Sequence, residues 1–275
     1  MKIDIEDIIS SKTGSYIPKF LINLLKKIIH QDEINIIIKK NSKKNGVDFA
    51  CGVLEYFNIS TYAVGFENIS KNEKLIFVSN HPLGALEAMA IAKHLGEIFG
   101  NNINFIANEL LASLIPLRNI FTSVNVGAGK QNRENITLVD ELFSSDKQII
   151  IFPSGQVSRK KNGVITDSEW KKMFVTKARQ YKRNVVPIFC SGKNSNLFYK
   201  LANLRKFLGI KFNVELLFLP HEMFKNKNSK INLTIGKPIS YKKFINTKND
   251  FETAQEVKKV VYNLNFKAAN LKINN

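Results

Sequence analysis

The sequence has few residues of the kinds that build disulfide frameworks or membrane spans. Its 275 residues include two cysteines, seven prolines and one tryptophan. Cys51 and Cys190 lie far apart and lack the spacing of metal ligands, so we expect two reduced, packed thiols. No apolar run approaches the ~20 residues of a membrane span, and the first residues lack the apolar core of a signal peptide. The sequence therefore predicts an intracellular protein without a disulfide framework.

Histidine is also scarce, and basic residues outnumber acidic ones. His30, His94 and His221 are scattered, and none belongs to an HExxH or Cys/His cluster, so the sequence predicts no metal site. Lysine and arginine together number 41 against 23 acidic residues, which gives a formal net charge of +18. A surface of this charge attracts polyanions, either nucleic acid or the anionic face of a membrane.

The first 70 residues carry an amphipathic helical pattern. Pro18 suits the first turn of a helix, and apolar side chains are interspersed with lysines over residues 18–40. A basic amphipathic helix of this kind either lies in the plane of a membrane interface or packs on the main domain, and the pattern leaves both open. Residues 47–57 predict a further helix. We therefore expect an N-terminal amphipathic helical segment over residues 1–70.

Strands and helices alternate from residue 75 onward. Such alternation is typical of an α/β layer fold, so we expect a mixed, largely parallel sheet flanked by helices in one domain over residues 71–275. The expected strands cover residues 75–79, 102–107, 121–126, 148–152, 184–189, 212–219 and 230–236. The expected helices cover residues 85–99, 132–143, 169–181, 198–207 and 251–269.

The stretch 75–87 joins a buried strand to a helix through a polar turn. Its apolar run ends at Asn80-His81-Pro82, where Pro82 suits the first position of a helix. His81 would then lie at the carboxyl end of a strand, where open α/β sheets bind their ligands. A neutral imidazole there can take a proton from a hydroxyl while a carboxylate such as Glu87 holds its other nitrogen. The alternative is a helix cap beside a solvated charge, which these residue types alone would favour.

The run from Asn80 to Glu87, Asn-His-Pro-Leu-Gly-Ala-Leu-Glu, resembles the His-plus-acid motif of the glycerolipid and lysophospholipid acyltransferase superfamily. It is particularly similar to the bacterial haemolysin-like branch, the amino-acid-lipid O-acyltransferases, in which five residues separate the histidine from the acid. The resemblance implies that His81 is the general base and that Glu87, which stands where the family has aspartate, orients it. Gly84 tolerates irregular backbone angles and would absorb the additional residue.

A second candidate site follows the strand at 148–152. The loop over residues 152–161 contains glycine, hydroxyls and cations, which suit an anion or a polar head group and equally an exposed basic loop. This loop resembles the superfamily's Phe-Pro-Glu-Gly-Thr-Arg-Ser motif, and amide N–H groups near Gly84 or Gly155 would stabilise the developing oxyanion. The residues expected to bind substrate are Asn80, Gly84, Asn125, Ser154, Gly155, Ser158 and Arg159.

Two departures from the family pattern bear on the acceptor. Asn108 stands where a lysine is frequent, and Val126 stands where phosphate-handling members have arginine. Those cations are expected to hold a phosphate head group through charge-assisted hydrogen bonds. Their loss argues against a phosphate acceptor unless Lys130, Arg133 or Arg159 supplies the charge. An acceptor with a carboxylate, such as a mono-acylated amino-acid lipid, is the alternative that this pattern favours.

The resemblance implies a membrane-associated O-acyltransferase with residues 71–275 as its catalytic domain. The enzyme would bind no cofactor, and would transfer a fatty acyl group from a thioester co-substrate, acyl carrier protein or coenzyme A, to the hydroxyl of a lyso-lipid. Its partners would be that lyso-lipid, the thioester carrier and an anionic membrane surface, at the cytoplasmic face of the inner membrane as a peripheral protein. The main alternative acceptor is 1-acylglycerol 3-phosphate, in phosphatidic acid synthesis.

Two alternatives come from other functional classes. The charge suggests a basic protein that binds nucleic acid, and the substituted acid at Glu87 leaves open a membrane-surface protein without activity. The sequence contains no helix-turn-helix signature, RNP-type strand or finger, and a histidine and acid at a strand end have no purpose in nucleic-acid binding. We therefore expect no nucleic-acid partner.

Overall fold

The computed structural model describes residues 3–6, 18–107, 114–123, 133–210 and 213–273, with the side chains of 133–135 and 266–273 left aside. The described α-helices are α1 (Lys19–Ile28), α2 (Gln31–Lys40), α3 (Val47–Tyr56), α4 (Leu86–Phe99), α5 (Arg133–Ser144), α6 (Met173–Gln180), α7 (Asn196–Phe207), α8 (Leu219–Lys225) and α9 (Asp250–Ile273). The described strands are β1 (Ser60–Val64), β2 (Leu75–Ser79), β3 (Ile103–Ala107), β4 (Phe121–Ser123), β5 (Gln148–Ile151), β6 (Arg159–Lys161), β7 (Val164–Thr166), β8 (Asn184–Cys190) and β9 (Lys230–Ile235).

Seven of the described strands form one sheet in the order β1-β9-β8-β2-β5-β3-β4. Strands β8, β2, β5, β3 and β4 run parallel, whereas β9 pairs antiparallel with β8 and carries β1 parallel at its other side. Central strands of a parallel sheet are buried on both faces, and all residues of β2 are buried. The predicted α/β fold with a mixed, largely parallel sheet is confirmed.

Helices cover both faces of the sheet. Residues of a strand point alternately to opposite faces, so Phe77 of β2 joins one apolar cluster and its neighbour Ile76 joins the other. The first cluster includes α2, α3 and α4, with Leu86 at the start of α4. The second cluster includes α5, α6 and α9, with Phe174 of α6 fully buried. The loops that carry the polar motifs lie at the carboxyl ends of the strands, between these two layers.

The N-terminal helical segment contains two short helices where the pattern predicts one stretch over residues 18–40. The break lies at His30, whose backbone is left-handed with a φ of 53°. The Nε2 atom of His30 lies 2.9 Å from Nδ1 of His221 in α8, and its ring stacks on Phe224. These contacts join the end of α1 to α8. None of the helices in the described ranges is long and apolar enough to cross a membrane.

Several local predictions are wrong. The strand predicted over residues 212–219 is replaced by a 3-10 turn at Val214–Phe218 and by α8, where Pro220 occupies the first turn and suits a helix start. Pro82 does not open a helix, because the chain bends through residue 85 and α4 begins at Leu86. Strand β1 and the β6–β7 hairpin were not predicted. The division of the chain at residue 70 stays a prediction.

Candidate active site

The loops that follow β8, β2 and β5 meet at the carboxyl end of the sheet. The three strands are neighbours and run parallel, so their carboxyl ends lie side by side, where ligands of open α/β sheets bind. Strand β2 continues into His81, and β5 continues into Phe152. The two rings stack with 4.3 Å between their centroids. The carboxyl end of the sheet therefore brings together the His81 motif and the loop that begins at Phe152.

Glu87 lies in the first turn of α4, is fully buried and contacts His81. Its Oε1 atom lies 2.7 Å from Nδ1 of His81 and accepts the N–H groups of Leu83 at 3.1 Å and Gly84 at 2.9 Å. A carboxylate oxygen can only accept, so this contact favours the tautomer with the hydrogen on Nδ1 of His81, in which Nε2 is the basic nitrogen. The side chain of His81 is 16% exposed. The pair has the geometry of a general base and the group that orients it.

Gly84 allows five residues to lie between His81 and Glu87. Its φ is +102°, a left-handed value that glycine adopts without strain. This conformation directs the N–H of Gly84 to Oε1 of Glu87. A Cβ atom at this position would lie 3.2 Å from a methyl group of Leu219 and 3.6 Å from one of Val157. The turn is therefore closely packed as well as left-handed.

Asp167, to which the sequence analysis assigns no role, holds the main chain of His81. Its Oδ1 atom accepts the N–H of His81 at 3.2 Å and the hydroxyl of Ser158 at 2.5 Å, and its Oδ2 atom accepts Nε1–H of Trp170 at 2.9 Å. The N–H of Ser158 in turn donates to the carbonyl of His81 at 2.7 Å. Ser158 and Asp167 flank the β6–β7 hairpin, so the two ends of this hairpin hold the main-chain N–H and carbonyl of His81.

Two side chains of α9 secure the loop at Asp167. The hydroxyl of Tyr262 accepts the N–H of Asp167 at 2.8 Å, and Nζ of Lys258 donates to the carbonyl of Asp167 at 2.7 Å. Burial, with the nearby charge of Asp167, raises the pKa of Tyr262 to about 12, so its hydroxyl stays protonated at neutral pH. Burial lowers the pKa of Lys258 from its usual value. The last helix thus supports the site through neutral and charged hydrogen bonds.

Asn80 joins the ends of β2 and β8. Its Nδ2 atom donates to the carbonyl of Cys190 at 2.8 Å, and its Oδ1 atom accepts the N–H of Cys190 at 2.7 Å. The side chain is buried, and both ends of its amide are engaged within the protein. Burial, with the negative charge of Glu87, raises the pKa of the Cys190 thiol well above its usual value. Cys190 is therefore a protonated thiol at neutral pH and lacks the thiolate that a nucleophile needs.

The other residues predicted to contact substrate differ in how far they are buried. Ser154 is buried and its hydroxyl donates to the carbonyl of Gln156 at 2.7 Å, whereas Gly155 is exposed. Ser158 is buried on Asp167. The N–H of Gly84 donates to Glu87 and the N–H of Gly155 donates to the carbonyl of Phe152 at 2.9 Å. The amides of Gly84 and Gly155 thus have acceptors within the protein, and the oxyanion donors near them stay a prediction.

Several predicted positions lie outside the described residues. These are Asn108, Asn125, Val126, Lys130 and the side chain of Arg133. Among the residues that are described, no group of three histidine, cysteine or acidic side chains is arranged to hold a metal ion.

Arg159 belongs to a buried group of three charges. Its Nη2 atom lies 2.7 Å from Oε1 of Glu215, and Nε of Arg205 lies 2.9 Å from Oε2 of the same carboxylate. Glu215 is fully buried and the two guanidinium groups are partly exposed. Burial lowers the pKa of Arg159, which still carries its charge at neutral pH. Two cations against one carboxylate leave one net positive charge next to the hairpin that holds His81.

The chain matches a protein family over most of its length, and it is similar to two relatives in sequence and to one solved structure in fold. The model of a family described as acyltransferase matches residues 7–270. The chain is 44% identical over 265 residues to a lyso-glycine lipid O-acyltransferase of Phocaeicola vulgatus, with 95% of each chain covered. It is 42% identical to another of Bacteroides thetaiotaomicron, with 95% of this chain and 97% of the relative covered. The fold is similar to that of the 1-acyl-sn-glycerophosphate (LPA) acyltransferase PlsC of Thermotoga maritima, with a TM-score of 0.51 and 18% identity over 96% of this chain and 88% of that one.

Proposed function

Because this chain belongs to the acyltransferase family, we propose that it acylates the hydroxyl of a mono-acylated glycine lipid, with a thioester of acyl carrier protein or coenzyme A as donor. The observation that carries the reaction is the 2.7 Å contact between Nδ1 of His81 and Oε1 of Glu87. The acceptor is taken from the two lyso-glycine lipid O-acyltransferases that the chain matches over nearly its whole length.

In this mechanism His81 moves one proton. Its Nε2 atom takes the proton of the acceptor hydroxyl while the oxygen attacks the thioester carbonyl carbon, and Glu87 stabilises the imidazolium that forms. The tetrahedral intermediate then expels the thiolate, which takes the proton from Nε2 of His81. One C–O bond forms and one C–S bond breaks, and no covalent acyl-protein intermediate is involved.

The charge near the hairpin supports an acceptor with a carboxylate. The group formed by Arg159, Arg205 and Glu215 keeps one net positive charge, which can pair with a single carboxylate. The sequence also lacks the two cations of phosphate-handling members, at Asn108 and Val126. We propose that Arg159 contacts the carboxylate of the glycine head group, since guanidinium and carboxylate form charge-assisted hydrogen bonds.

The first helix supports action at a membrane. In α1 Ile22 is buried, whereas Phe20, Leu21 and Leu24 are exposed large apolar residues on a helix that also carries lysines. This arrangement suits a helix that lies in an anionic membrane interface. Acyl carrier protein and coenzyme A are both acidic, and the net charge of +18 suits them as well. We propose a peripheral location at the cytoplasmic face of the inner membrane.

Acceptor choice tests this proposal directly. The purified chain is given acyl carrier protein and coenzyme A thioesters, with mono-acylated glycine or 1-acylglycerol 3-phosphate as acceptor. We expect kcat/KM for the glycine lipid to exceed that for the phosphate by about tenfold or more, because the wrong head group leaves polar groups unpaired. A preference for the phosphate would contradict the proposed acceptor, and no transfer to either would contradict the proposed reaction.

Glu87→Gln is expected to lower kcat for the glycine lipid by about 10- to 100-fold with little change in KM. The glutamine oxygen can still accept the N–H groups of Leu83 and Gly84, so the turn is retained. A neutral amide cannot stabilise the imidazolium that forms on His81 in the transition state. Steady-state kinetics with thermal melting of both proteins measures the effect.

A matched control is Glu222→Gln. Glu222 is also buried, and it accepts from the N–H and hydroxyl of Ser195, so its replacement removes a buried charge without touching His81. We expect this control to lower stability more than kcat. Equal kcat values for Glu87→Gln and the wild type would remove the carboxylate from the mechanism.

A further inference from the structure

An apolar and cationic surface runs along the outer face of α7. The helix buries Phe198, Tyr199 and Ala202 on its inner face. We call the opposite face, together with the residues that follow it and the tip of the β6–β7 hairpin, the α7 surface. Its exposed large apolar residues are Val164, Leu197, Leu204, Phe207, Leu208 and Ile210.

The apolar residues of the α7 surface form a stripe. Leu197, Leu204 and Leu208 are spaced by seven and four residues, which places them on one side of a helix. Phe207 is 87% exposed, Leu208 58% and Leu204 53%. Single exposed apolar residues are ordinary, but a contiguous apolar patch on a protein surface marks a site of interaction.

The charged residues of the α7 surface are all basic. Lys161 and Lys200 are exposed on it, and Lys206 is exposed near the end of α7. The sequence contains no aspartate or glutamate over residues 155–166 or 191–210. The hairpin and the helix form one surface, because Nζ of Lys160 contacts Asn196 of α7 and Asn203 of α7 donates to the carbonyl of Lys160. The partner of this surface must therefore be both apolar and anionic.

The α7 surface borders the active site. Strand β6 begins directly after Ser158, which donates to the carbonyl of His81. On the inner face of α7, Phe198 packs in a small apolar cluster with Val157, and Val157 lies against Gly84 in the turn between His81 and Glu87. A partner bound to the outer face of α7 would thus be separated from the turn with His81 by α7 and the side chains packed beneath it.

We infer that the α7 surface docks on an anionic lipid bilayer and presents the active site to acceptor molecules in that bilayer. The inference rests on the proposed function, since a lyso-lipid acceptor lies in a membrane. Phe207 and Leu208 enter the boundary of the acyl chains while the lysines pair with lipid phosphates. The lysines would also attract an acidic carrier protein. The polar surface of such a protein, however, has no apolar interior into which the exposed phenylalanine and leucines could insert.

Vesicle binding tests the inference. Phosphatidylcholine vesicles with and without phosphatidylglycerol are sedimented with the full chain and with the double variant Phe207→Ser, Leu208→Ser. We expect the partition constant on anionic vesicles to fall by about tenfold or more, since two large apolar side chains leave the interface. The matched control is Ile245→Ser, Phe251→Ser, which alters two exposed apolar residues away from the α7 surface and is expected to bind like the wild type.

Insertion is measured separately by fluorescence. Phe207→Trp is expected to emit at shorter wavelength when anionic vesicles are added and to be quenched by brominated lipid. Phe251→Trp is expected to do neither. The native Trp170 is fully buried and gives the same background in both. An unchanged Phe207→Trp spectrum would overturn the inference even if the serine variant failed to fold.

Two other occupants of the α7 surface, a second copy of the chain and the acyl donor, would each produce a different experimental result. A shift from dimer to monomer in light scattering, with unchanged vesicle binding, would assign the surface to a second copy of the chain and overturn the inference. A raised KM for acyl carrier protein with unchanged vesicle binding would assign it to the donor. Binding is measured without acyl donor, so a protein that failed to acylate the glycine lipid would still report on this surface.

Discussion

Replacement of His81 with alanine is expected to lower kcat of acyl transfer by about 10²- to 10⁴-fold, the range for loss of a general base. In the proposed mechanism the Nε2 atom of His81 takes the acceptor proton, and Nδ1 lies 2.7 Å from Oε1 of Glu87. We expect the fold to be retained, because Asp167 and Ser158 hold residue 81 by its main-chain N–H and carbonyl, which alanine keeps. Kinetics and thermal melting of the same preparations give both values.

His94→Ala is the matched control for this result. His94 is a buried histidine of α4 whose Nε2 atom lies 2.9 Å from the hydroxyl oxygen of Thr61, away from Glu87. Its loss is expected to cost about 1 kcal/mol of stability and to leave kcat near the wild-type value. If His81→Ala kept its kcat, or if the control lost as much activity, the assignment of His81 as the base would be wrong.

Arg183→Met is expected to lower the free energy of unfolding by about 3–5 kcal/mol, the largest stability effect that we anticipate. The guanidinium of Arg183 is fully buried. It donates to the carbonyls of Phe143 at 2.8 Å and Lys147 at 2.7 Å, and also to those of Ser145 and Leu75. These contacts join the carboxyl end of α5 to the starts of β5 and β2, and methionine would leave the carbonyls buried without donors.

Thermal or denaturant unfolding measures this effect, with an expected fall in Tm of about 10 °C. Burial lowers the pKa of Arg183 to about 10, so the side chain is still charged at neutral pH. Arg183→Lys keeps the charge with fewer donors and is expected to lose roughly half as much. Lys259→Met removes an exposed cation from α9 and is expected to change little. Equal stability of Arg183→Met and the wild type would show that the carbonyls find other donors.

The centre of the site could be predicted because its signals are local. The apolar run of β2 is buried on both faces, as a central parallel strand requires, and it ends at the Asn-His-Pro turn. His81 and Glu87 are six residues apart. The residue types alone favoured a helix cap beside a solvated charge, and the resemblance to the acyltransferase motif associated the two residues. The role of Gly84 followed from comparison with the family motif, and its left-handed φ agrees with it.

Other features depended on partners far along the chain. Asp167 lies 86 residues from His81, and Ser60 of β1 pairs with Lys230, so no local pattern indicates either contact. The apolar letters of residues 212–219 are typical of a strand. The chain forms a 3-10 turn there instead, and buried Glu215 pairs with Arg159 and Arg205. A single sequence does not reveal such tertiary pairing, which overrides the local preference.

His81 and Glu87, which we propose as the base and its orienting acid, lie in one short stretch of chain, and this bears on how related proteins diverge. The Oε1 atom of Glu87 lies 2.7 Å from Nδ1 of His81 and also accepts the main-chain N–H groups of Leu83 and Gly84 between them. The hairpin with Arg159 and the helix α7 are separate stretches of chain. From the roles proposed for those stretches, we expect substitutions there to change the lipid acceptor or the membrane that is bound while the turn with His81 and Glu87 stays unchanged.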